Sequence, residues 1–350
     1  MYQVEPNNKW IGYRLAKDII TENGTLLLSQ GRILSKEDLL FMKDWEITCF
    51  FIEIEEITPN HFIEHFIKED PIFYELYNRS LSSVEKMFQL VSKKEKITGQ
   101  KLFETFDQLL IHMISEPFLI TQLRTIKDVE RYTLQHSVNV GIMSFMLARI
   151  LGMKPDEVIQ IGHAGLVHDI GKAHIPPTII NKTEKLLETE MRLIHSHPRL
   201  GYETLVENNI KDTAILSATL FHHERLDGSG YPLNKKGEQI PLSAQIVAIA
   251  DVYDAISSER SYKKAMSPFH AYQKLYDLAF QKLLNPEIVI KFLGYIASAM
   301  IGKKVILNDG TIGTVVMAFH NEPDRPLISV NNHFIDLRKN RDIYIQELFV

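Results

Sequence analysis

A pattern of histidines and carboxylates constrains this chain more than any other feature of its sequence. Eight of the fourteen histidines fall between His136 and His223, and carboxylates stand among them. Imidazole and carboxylate groups are ligands that suit divalent iron, manganese or zinc. Two such metals, joined by a shared carboxylate, can generate hydroxide at neutral pH and bind a phosphate group. The pattern therefore indicates a metal-dependent phosphohydrolase.

The central piece of this pattern is His168-Asp169, followed closely by Gly171 and Lys172. An aspartate can bridge two metals with its two oxygens, whereas a histidine serves only one. Gly171 would let another chain segment or a phosphate approach closely. Lys172 would present a cation to a phosphate oxygen. Alone, a His-Asp pair is a weak indication, because it occurs often by chance.

Other pieces of the sequence extend the candidate ligand set. Asp251 stands in an apolar helical stretch, where a carboxylate has a large desolvation cost unless it is paired or binds a metal. Of His195 and His197, only one need be a ligand. A lone histidine is more often a hydrogen-bonded structural residue, but seven ligand-type residues in this arrangement make that interpretation much weaker. The candidate metal ligands are His136, His168, Asp169, one of His195 and His197, His222, His223 and Asp251.

A turn-rich loop follows His223 and supplies candidate substrate contacts. Gly230 would allow tight backbone approach to a ligand, and Tyr231 would hydrogen-bond to it or stack on it. Farther along, Arg260 and Lys263 could present cations to a second phosphate. The predicted catalytic residues are Asp169 and Lys172, and the predicted substrate-binding residues are Lys172, Gly230, Tyr231, Arg260 and Lys263.

Composition is that of an ordinary globular protein. The 350 residues are 45% hydrophobic and 24% charged, which suits two or three domains with normal cores. The net charge of −5 gives no indication of binding to a nucleic-acid polymer. Cys49 is the one cysteine, so an intramolecular disulfide is impossible. Because no signal-peptide pattern and no apolar run of roughly 18 residues is visible, we expect a cytoplasmic protein without a membrane span.

The pattern of apolar residues and turn signals changes three times along the chain and predicts four segments. Residues 1–57 indicate a small β-rich module, 58–125 a helical connecting region, 126–300 a helical catalytic domain, and 301–350 a second small β-module. The predicted fold class is therefore mainly α, with β-rich modules at both ends. An apolar stripe between residues 73 and 92 at helical spacing would pack on the core or pair two chains. Packing is the favoured interpretation, and a homodimer is the alternative.

Between about Val129 and Ala265 the motifs resemble the HD-GYP family, a branch of the HD phosphohydrolase superfamily. The Gly230-Tyr231-Pro232 signature is intact, and the Pro-x-x-Gly after His197 marks it, rather than His195, as the ligand. The matching pieces are Tyr132-Thr133-x-x-His136-Ser137, His168-Asp169-x-Gly171-Lys172, His197-Pro198-x-x-Gly201, His222 to Pro232, Asp251 with Asp254-Ala255, and Arg260-x-Tyr262.

The resemblance implies an all-helical catalytic core that hydrolyses cyclic di-GMP, a bacterial second messenger. It implies one metal held by His136, His168, Asp169 and Asp251, and a second held by Asp169, His197, His222 and His223, with Asp169 shared. Tyr132 stands where some members place a glutamate for a third metal. We therefore expect two metals, iron or manganese before zinc, and the linear product pGpG, with further cleavage to GMP as the alternative.

Two other functions stay open at this point. A phosphohydrolase of the same fold could act on another cyclic dinucleotide. A catalytically silent receptor could bind cyclic di-GMP and signal through a partner, although the complete ligand set argues against that.

Overall fold

The N-terminal part of the chain forms small sheets around one helix. The computed structural model describes residues 2–4, 6, 14–21, 25–32, 34–53, 70–97, 99–115, 123, 132–182, 184–257, 268–319, 322, 324–331 and 333–349. Strands β1, β5 and β2 form an antiparallel sheet in the order β1-β5-β2, and β3 pairs with β4. These strands are β1 (Tyr2–Val4), β2 (Arg14–Leu15), β3 (Ile19–Ile20), β4 (Leu26–Leu28) and β5 (Phe50–Glu53).

In the sequence, Asn23-Gly24 between two apolar segments predicts a β-hairpin. The pairing of β3 with β4 confirms the hairpin, while Asn23-Gly24 itself lies outside the described residues. A serine N-cap at Ser35, with Asp38 at the capping-box distance, predicts a helix start in the sequence, and helix α1 (Lys36–Asp44) begins there. Ser35 accepts from the Asp38 N–H, and Asp38 accepts from the Ser35 N–H, which completes a capping box. The module closes over its own small core, which includes Leu15, Leu34, Met42 and Phe50.

Helices make up the middle of the molecule. Asp70 caps α2 by accepting from the Phe73 N–H, and Pro71 occupies the first turn, where its missing N–H costs nothing. The elements up to the first ligand-bearing turn are α2 (Pro71–Ser92), α3 (Gly99–Ser115), α4 (Tyr132–Ile150), α5 (Pro155–Val167) and a 3₁₀ helix at Ile170–His174. The remaining helices are α6 (Pro177–Ile180), α7 (Glu188–His195), α8 (His197–Glu207), α9 (Thr213–Phe221), a 3₁₀ turn at Gly237–Gln239, α10 (Leu242–Ser257), α11 (Pro268–Phe280) and α12 (Pro286–Ala299).

The apolar stripe of α2 lies inside the core of its own chain. Phe73, Tyr77, Val84 and Met87 are buried there together with residues of α4, α5 and α10. Helix α2 packs against α3, α4 and the 3₁₀ helix at Ile170–His174. This arrangement agrees with the packing interpretation of the stripe, and it brings the connecting region close to the predicted metal ligands.

The C-terminal residues form a five-stranded antiparallel sheet in the order β10-β6-β7-β8-β9. Its strands are β6 (Lys304–Leu307), β7 (Ile312–Met317), β8 (Leu327–Val330), β9 (His333–Asp336) and β10 (Ile345–Phe349). In the sequence, apolar runs at 305–307, 314–316 and 327–330 and the turn signal Asp309-Gly310 predict strands that correspond to β6, β7 and β8. No strand is predicted at β9 or β10. Buried Val305, Val315 and Ile328 join the same core as the helices.

The fold is thus mainly α, with small sheets near both ends, as the sequence predicts. The four-segment division remains a proposal. None of the helices in the described part of the chain is both long enough and apolar enough to cross a bilayer.

Candidate metal centre

The predicted metal ligands lie at helix ends and on helix faces that meet at one buried point. His136 lies near the start of α4, and Asp251 lies in the middle of α10. His168 is the C-cap residue of α5, and Asp169 is the N-cap residue of the 3₁₀ helix that follows. His197 begins α8, and His222 is the C-cap residue of α9, with His223 next to it. Residues more than 100 positions apart in the sequence therefore face each other.

The ligands form two groups. The first group is His136, His168 and Asp251, and the second is Asp169, His197, His222 and His223. Within each group one ligand atom from every residue lies within 4.8 Å of the others, which is close enough to surround one ion.

Asp169 faces both groups with its two carboxylate oxygens. Oδ1 lies 3.1 Å from His197 Nε2 and 3.8 Å from His222 Nε2. Oδ2 lies 3.4 Å from His168 Nε2 and 3.6 Å from His136 Nε2. A carboxylate in this position can serve one metal with each oxygen.

Four of the ligand histidines are held by a hydrogen bond from the ring nitrogen that points away from the centre. Such a bond fixes the ring angle and the tautomer, and it leaves Nε2 directed inward. The Nδ1–H groups donate from His136 to Asp254 Oδ2 (2.7 Å), from His168 to the Gly165 carbonyl (2.7 Å), from His197 to the Ile194 carbonyl (2.7 Å) and from His222 to the Thr219 carbonyl (3.0 Å).

The inward nitrogens fit a divalent cation. His168 Nε2 is buried and has no hydrogen-bond partner within the described part of the chain. His197 Nε2 and His222 Nε2 lie 3.2 Å apart. Because the bonds to main-chain carbonyls place a proton on Nδ1 of each ring, the two Nε2 atoms present lone pairs to each other. Buried acceptors without a donor are costly, and a metal ion between them would satisfy all three.

Electrostatics favour the ligand forms of these side chains. Burial by itself raises the pKa of the Asp169 carboxyl, but nearby positive charge, first of all that of Lys172, holds it well below its ordinary value. Burial, together with the positive charge of neighbouring histidines, holds the pKa values of His222 and His223 well below the ordinary value. An ionised carboxylate and neutral imidazoles are the forms that bind metals.

His136 differs from the other histidines. Burial by itself lowers its pKa, but hydrogen bonds to Asp251 and Asp254 outweigh burial and raise the pKa to about 9. Its Nε2 lies 3.1 Å from Asp251 Oδ1. Without a metal, His136 is therefore a cation between two aspartates at neutral pH.

Lys172 and Gly171 support the centre from the 3₁₀ helix. The Lys172 ammonium pairs with Asp169 Oδ2, and its side chain is 24% exposed. A Cβ at Gly171 would lie 2.0 Å from the His197 carbonyl oxygen and 2.5 Å from the Gly201 nitrogen. The segment that approaches Gly171 so closely is thus the start of α8, which carries His197.

Rings of the Gly230-Tyr231 loop close one side of the second group. The Tyr231 ring stacks on His223 with centroids 4.6 Å apart, and on His195 with centroids 4.0 Å apart. His195 and His223 make no ring contact with each other among the described residues, so they lie on opposite faces of Tyr231. Burial raises the pKa of the Tyr231 phenol, which therefore stays protonated. Gly230 passes so close to the backbone of residues 223–225 that a Cβ would collide with it.

The sequence singled out neither Glu224 nor Asp254 as a site residue. Buried Glu224 accepts from the N–H groups of Leu233 (2.6 Å) and Lys235 (3.0 Å), which fixes the loop. Asp254 holds His136 and is 1% exposed. A usable signal existed for Asp254, because it is a second carboxylate three residues after Asp251 in an apolar helix. Arg260 and Lys263 lie outside the described residues, as does the side chain of Tyr132.

Comparison with known proteins matches this arrangement to one family. The HD domain family model matches residues 110–288, just over half of the chain. A solved structure of an HDG"Y"P protein from Bdellovibrio bacteriovorus aligns with a TM-score of 0.51 and 16% identity, over 83% of this chain and 98% of that one. At that identity the likeness concerns the fold alone.

Curated relatives match the same region. A cyclic di-GMP phosphodiesterase of Pseudomonas aeruginosa is 32% identical over 241 residues, which is 69% of this chain and 58% of the relative. A cyclic di-GMP phosphodiesterase response regulator of Xanthomonas campestris is 39% identical over 46% of this chain and 47% of its own length. The 3′3′-cGAMP-specific phosphodiesterase 3 of Vibrio cholerae is 32% identical over 52% and 42%. In each case the match spans less than two thirds of the relative's length. With its HD and GYP motifs intact, the chain belongs to the HD domain family and to the HD-GYP branch of that family.

Proposed function

We propose that this protein is a metal-dependent phosphodiesterase that hydrolyses cyclic di-GMP. One observation carries the proposal: the Asp169 carboxylate lies between two groups of ligand atoms, with one oxygen toward each. Relatives that are 32% and 39% identical bear the name cyclic di-GMP phosphodiesterase, which supports this choice of substrate.

The proposed cofactors are two divalent metal ions, iron or manganese. The first ligand group and Asp169 would hold one ion, and the second ligand group would hold the other. Mixed imidazole and carboxylate ligands suit these metals better than a thiolate-rich site would. When bound, a metal pair lowers the pKa of a water molecule and binds phosphate oxygens, which is the chemistry that phosphodiester hydrolysis requires.

The side chains around the ligands have proposed roles at the substrate. Lys172 is close enough to Asp169 to place its ammonium beside a phosphate bound there, where it would neutralise charge as the diester is cleaved. The protonated Tyr231 phenol would donate to the nucleotide, and Gly230 would allow the loop to lie close to it. Arg260 and Lys263 are kept as proposed phosphate contacts on the basis of the sequence.

The proposed product is the linear dinucleotide pGpG. Water attacks one phosphorus, the bond from that phosphorus to the 3′ oxygen breaks, and the 3′ oxygen leaves as a hydroxyl. The ring is then open and ends in a 5′-phosphate. Tyr132 stands where a third ligand would be needed, so a two-metal centre is the basis for proposing one cleavage, with cleavage on to GMP as the alternative. Because a nucleotide second messenger is made and consumed inside cells, the proposed location is the cytoplasm. A homodimer stays an untested prediction.

A second candidate substrate follows from the relatives. Three Vibrio cholerae matches are named 3′3′-cGAMP-specific phosphodiesterases and are 31–39% identical to this chain. A mixed cyclic dinucleotide carries the same two phosphodiester bonds, so the metal centre by itself does not separate the two substrates. A comparison of kcat/KM on both nucleotides does.

The deciding experiment uses protein purified without oxygen. Metal analysis should give about two iron or manganese ions per chain, as two ligand groups require, and chromatography should show pGpG appearing from cyclic di-GMP. The Asp169→Ala variant, checked for normal folding by circular dichroism, should lose both metals and activity. Wild-type activity in that variant would reject the mechanism. Nucleotide binding without turnover in metal-replete protein would favour a receptor.

A further inference from the structure

A chain of buried hydrogen bonds joins helix α2 to the first ligand group. The Tyr77 hydroxyl donates to Asn139 Oδ1 over 2.8 Å. Asn139 Nδ2 donates to Asp254 Oδ1 over 3.0 Å. The other oxygen of Asp254 accepts from His136 Nδ1–H over 2.7 Å. Three helices, α2, α4 and α10, are thus linked by polar contacts that end on a predicted metal ligand.

Every member of this chain is removed from solvent. Tyr77 is 0% exposed, Asn139 and His136 are 4% exposed, and Asp254 is 1% exposed. Water therefore cannot take over a bond that is lost, and a buried polar group left without its partner destabilises the arrangement that contains it. Burial and the charge of Asp254 both raise the pKa of Tyr77, so the hydroxyl stays protonated and can donate.

The direction of the bonds is determined by the two ends. The Asp254 carboxylate can only accept, so the Asn139 amide must turn its NH₂ group toward it. The amide oxygen then faces Tyr77, which must donate. At the other end Asp254 holds a proton on His136 Nδ1, so Nε2, which faces the metal centre, is the nitrogen that a metal would bind after displacing its proton. Each bond thus favours the tautomer of His136 that can bind a metal.

We propose that Tyr77 is a positioning residue for the metal ligand His136, acting through Asn139 and Asp254. Tyr77 lies outside residues 110–288, the part of the chain that the family model matches. Helix α2 also packs against the 3₁₀ helix that begins after Asp169. The connecting region therefore belongs to the catalytic unit, and a shift of α2 against α4 would weaken the first ligand group before the second.

The alternative is that Tyr77 only fills the core. Its ring stacks on Phe73 with centroids 5.8 Å apart, and phenylalanine would keep that packing. The two interpretations therefore differ in one respect: removing the hydroxyl matters for the metal centre in one and not in the other. This inference rests on the proposed metal centre.

Titration of metal-stripped protein with Mn²⁺ tests the proposal on the full chain. Tyr77→Phe keeps the ring and removes the hydroxyl. Tyr272→Phe is the matched control, since Tyr272 is also buried and its hydroxyl has no hydrogen-bond partner among the described residues. Loss of an outer-shell partner weakens metal binding about 10- to 100-fold, and at this distance we expect the lower end of that range.

Two host variants show which ligand group Tyr77 affects. His222→Ala removes a ligand of the second group, and adding Tyr77→Phe to it should weaken the remaining Mn²⁺ binding about tenfold. In His168→Ala, which cripples the first group, it should change nothing.

The outcomes separate the inference from the proposal on which it rests. Equal Mn²⁺ affinities in Tyr77→Phe, Tyr272→Phe and wild type would overturn the inference and leave the metal centre intact. Equal weakening in both backgrounds would also overturn it, because a general loss of packing would explain that result. A wild-type protein that binds no Mn²⁺ would overturn both. If Tyr77→Phe does not fold, Asn139→Ala breaks the next link, and the same selective loss is expected.

Discussion

The two ligand groups of the metal centre are built in different ways. The first group takes His136 and Asp251 from within helices, and a buried carboxylate, Asp254, holds His136. The second group takes its histidines from helix ends, where main-chain carbonyls hold His197 and His222 and stacked rings hold His223. Within one site, a charged partner thus holds His136 of the first group, whereas neutral partners hold His168 and the histidines of the second group.

This difference sets the protonation of the empty ligands. Next to aspartates, His136 has a pKa raised to about 9, whereas burial and neighbouring histidines lower the pKa values of His222 and His223. A metal entering the first group must displace a proton from His136, and one entering the second group need not. The two groups should therefore respond differently to mutation and to pH.

The largest expected effect comes from the residue that the groups share. Asp169→Asn removes the charge that faces both groups, so both metals should be lost. Because metals supply several kcal/mol of transition-state stabilisation, hydrolysis should fall about 10³-fold or more. Metal analysis and turnover of cyclic di-GMP measure both effects. Asp251→Asn is the contrast, since it should empty the first group while the second keeps its metal. Two metals retained in Asp169→Asn would contradict the shared role.

A smaller and group-specific effect is expected at Gly171. An alanine there would place its Cβ 2.0 Å from the His197 carbonyl oxygen, and neither backbone can yield without moving α8. Such overpacking costs about 1–3 kcal/mol of unfolding free energy, and the displaced His197 should lower metal affinity in the second group. Gly201→Ala is milder, because its Cβ would first meet a methyl group of Thr219 at 2.9 Å. Equal unfolding midpoints for the two variants would contradict this account.

Sequence reasoning reached the ligands but not what holds them. His168-Asp169 and His222-His223 are local motifs, and their spacing is visible in the chain. Tyr77 lies 62 residues from Asn139, and Asn139 lies 115 residues from Asp254. No local sequence pattern predicts a contact between residues so far apart in the chain. In the sequence, Tyr77 is one member of an apolar helical stripe. Its hydroxyl acquires a hydrogen-bond partner, Asn139, only when α2 packs against α4.

The fold shows the same division. Where a local cap signal stands in the sequence, as at Ser35, it places the start of a helix, here α1, correctly. Strands β9 and β10 were missed. The side chains of β9 are exposed or half-exposed, so no buried alternation marks it, and both strands lie in the sheet through pairing with β8 and β6. Tertiary contacts decide such strands, which propensity alone does not.

A still smaller effect tests the stacked rings of the second group. His195→Ala removes the ring behind Tyr231, which should loosen Tyr231 and, through it, His223. An aromatic pair contributes about 0.5–1.5 kcal/mol, so Mn²⁺ affinity in the second group should fall about 2- to 12-fold. His195→Phe keeps a ring and should restore most of the affinity. An equal loss in both variants would show that the imidazole, not the stacking, matters.

The smallest expected effect is the pH dependence of the unfolding free energy in metal-free protein. The two ligand groups should change this free energy with pH in opposite directions. His136 has a folded pKa of about 9, above the ordinary 6.5, so its contribution is fully present below pH 6.5 and is lost as pH rises through 9. His222 and His223 have lowered pKa values, so their contribution is present above pH 6.5 and is lost as pH falls. Urea unfolding between pH 5 and pH 10 measures both losses of stability, the one at acidic pH (the acidic limb) and the one at alkaline pH (the alkaline limb).

Asp254→Asn should flatten the alkaline limb alone, because it removes one of the two carboxylates that hold the proton on His136. If the acidic limb changed equally, the two groups would not titrate separately, and the contrast between charged and neutral support would fail.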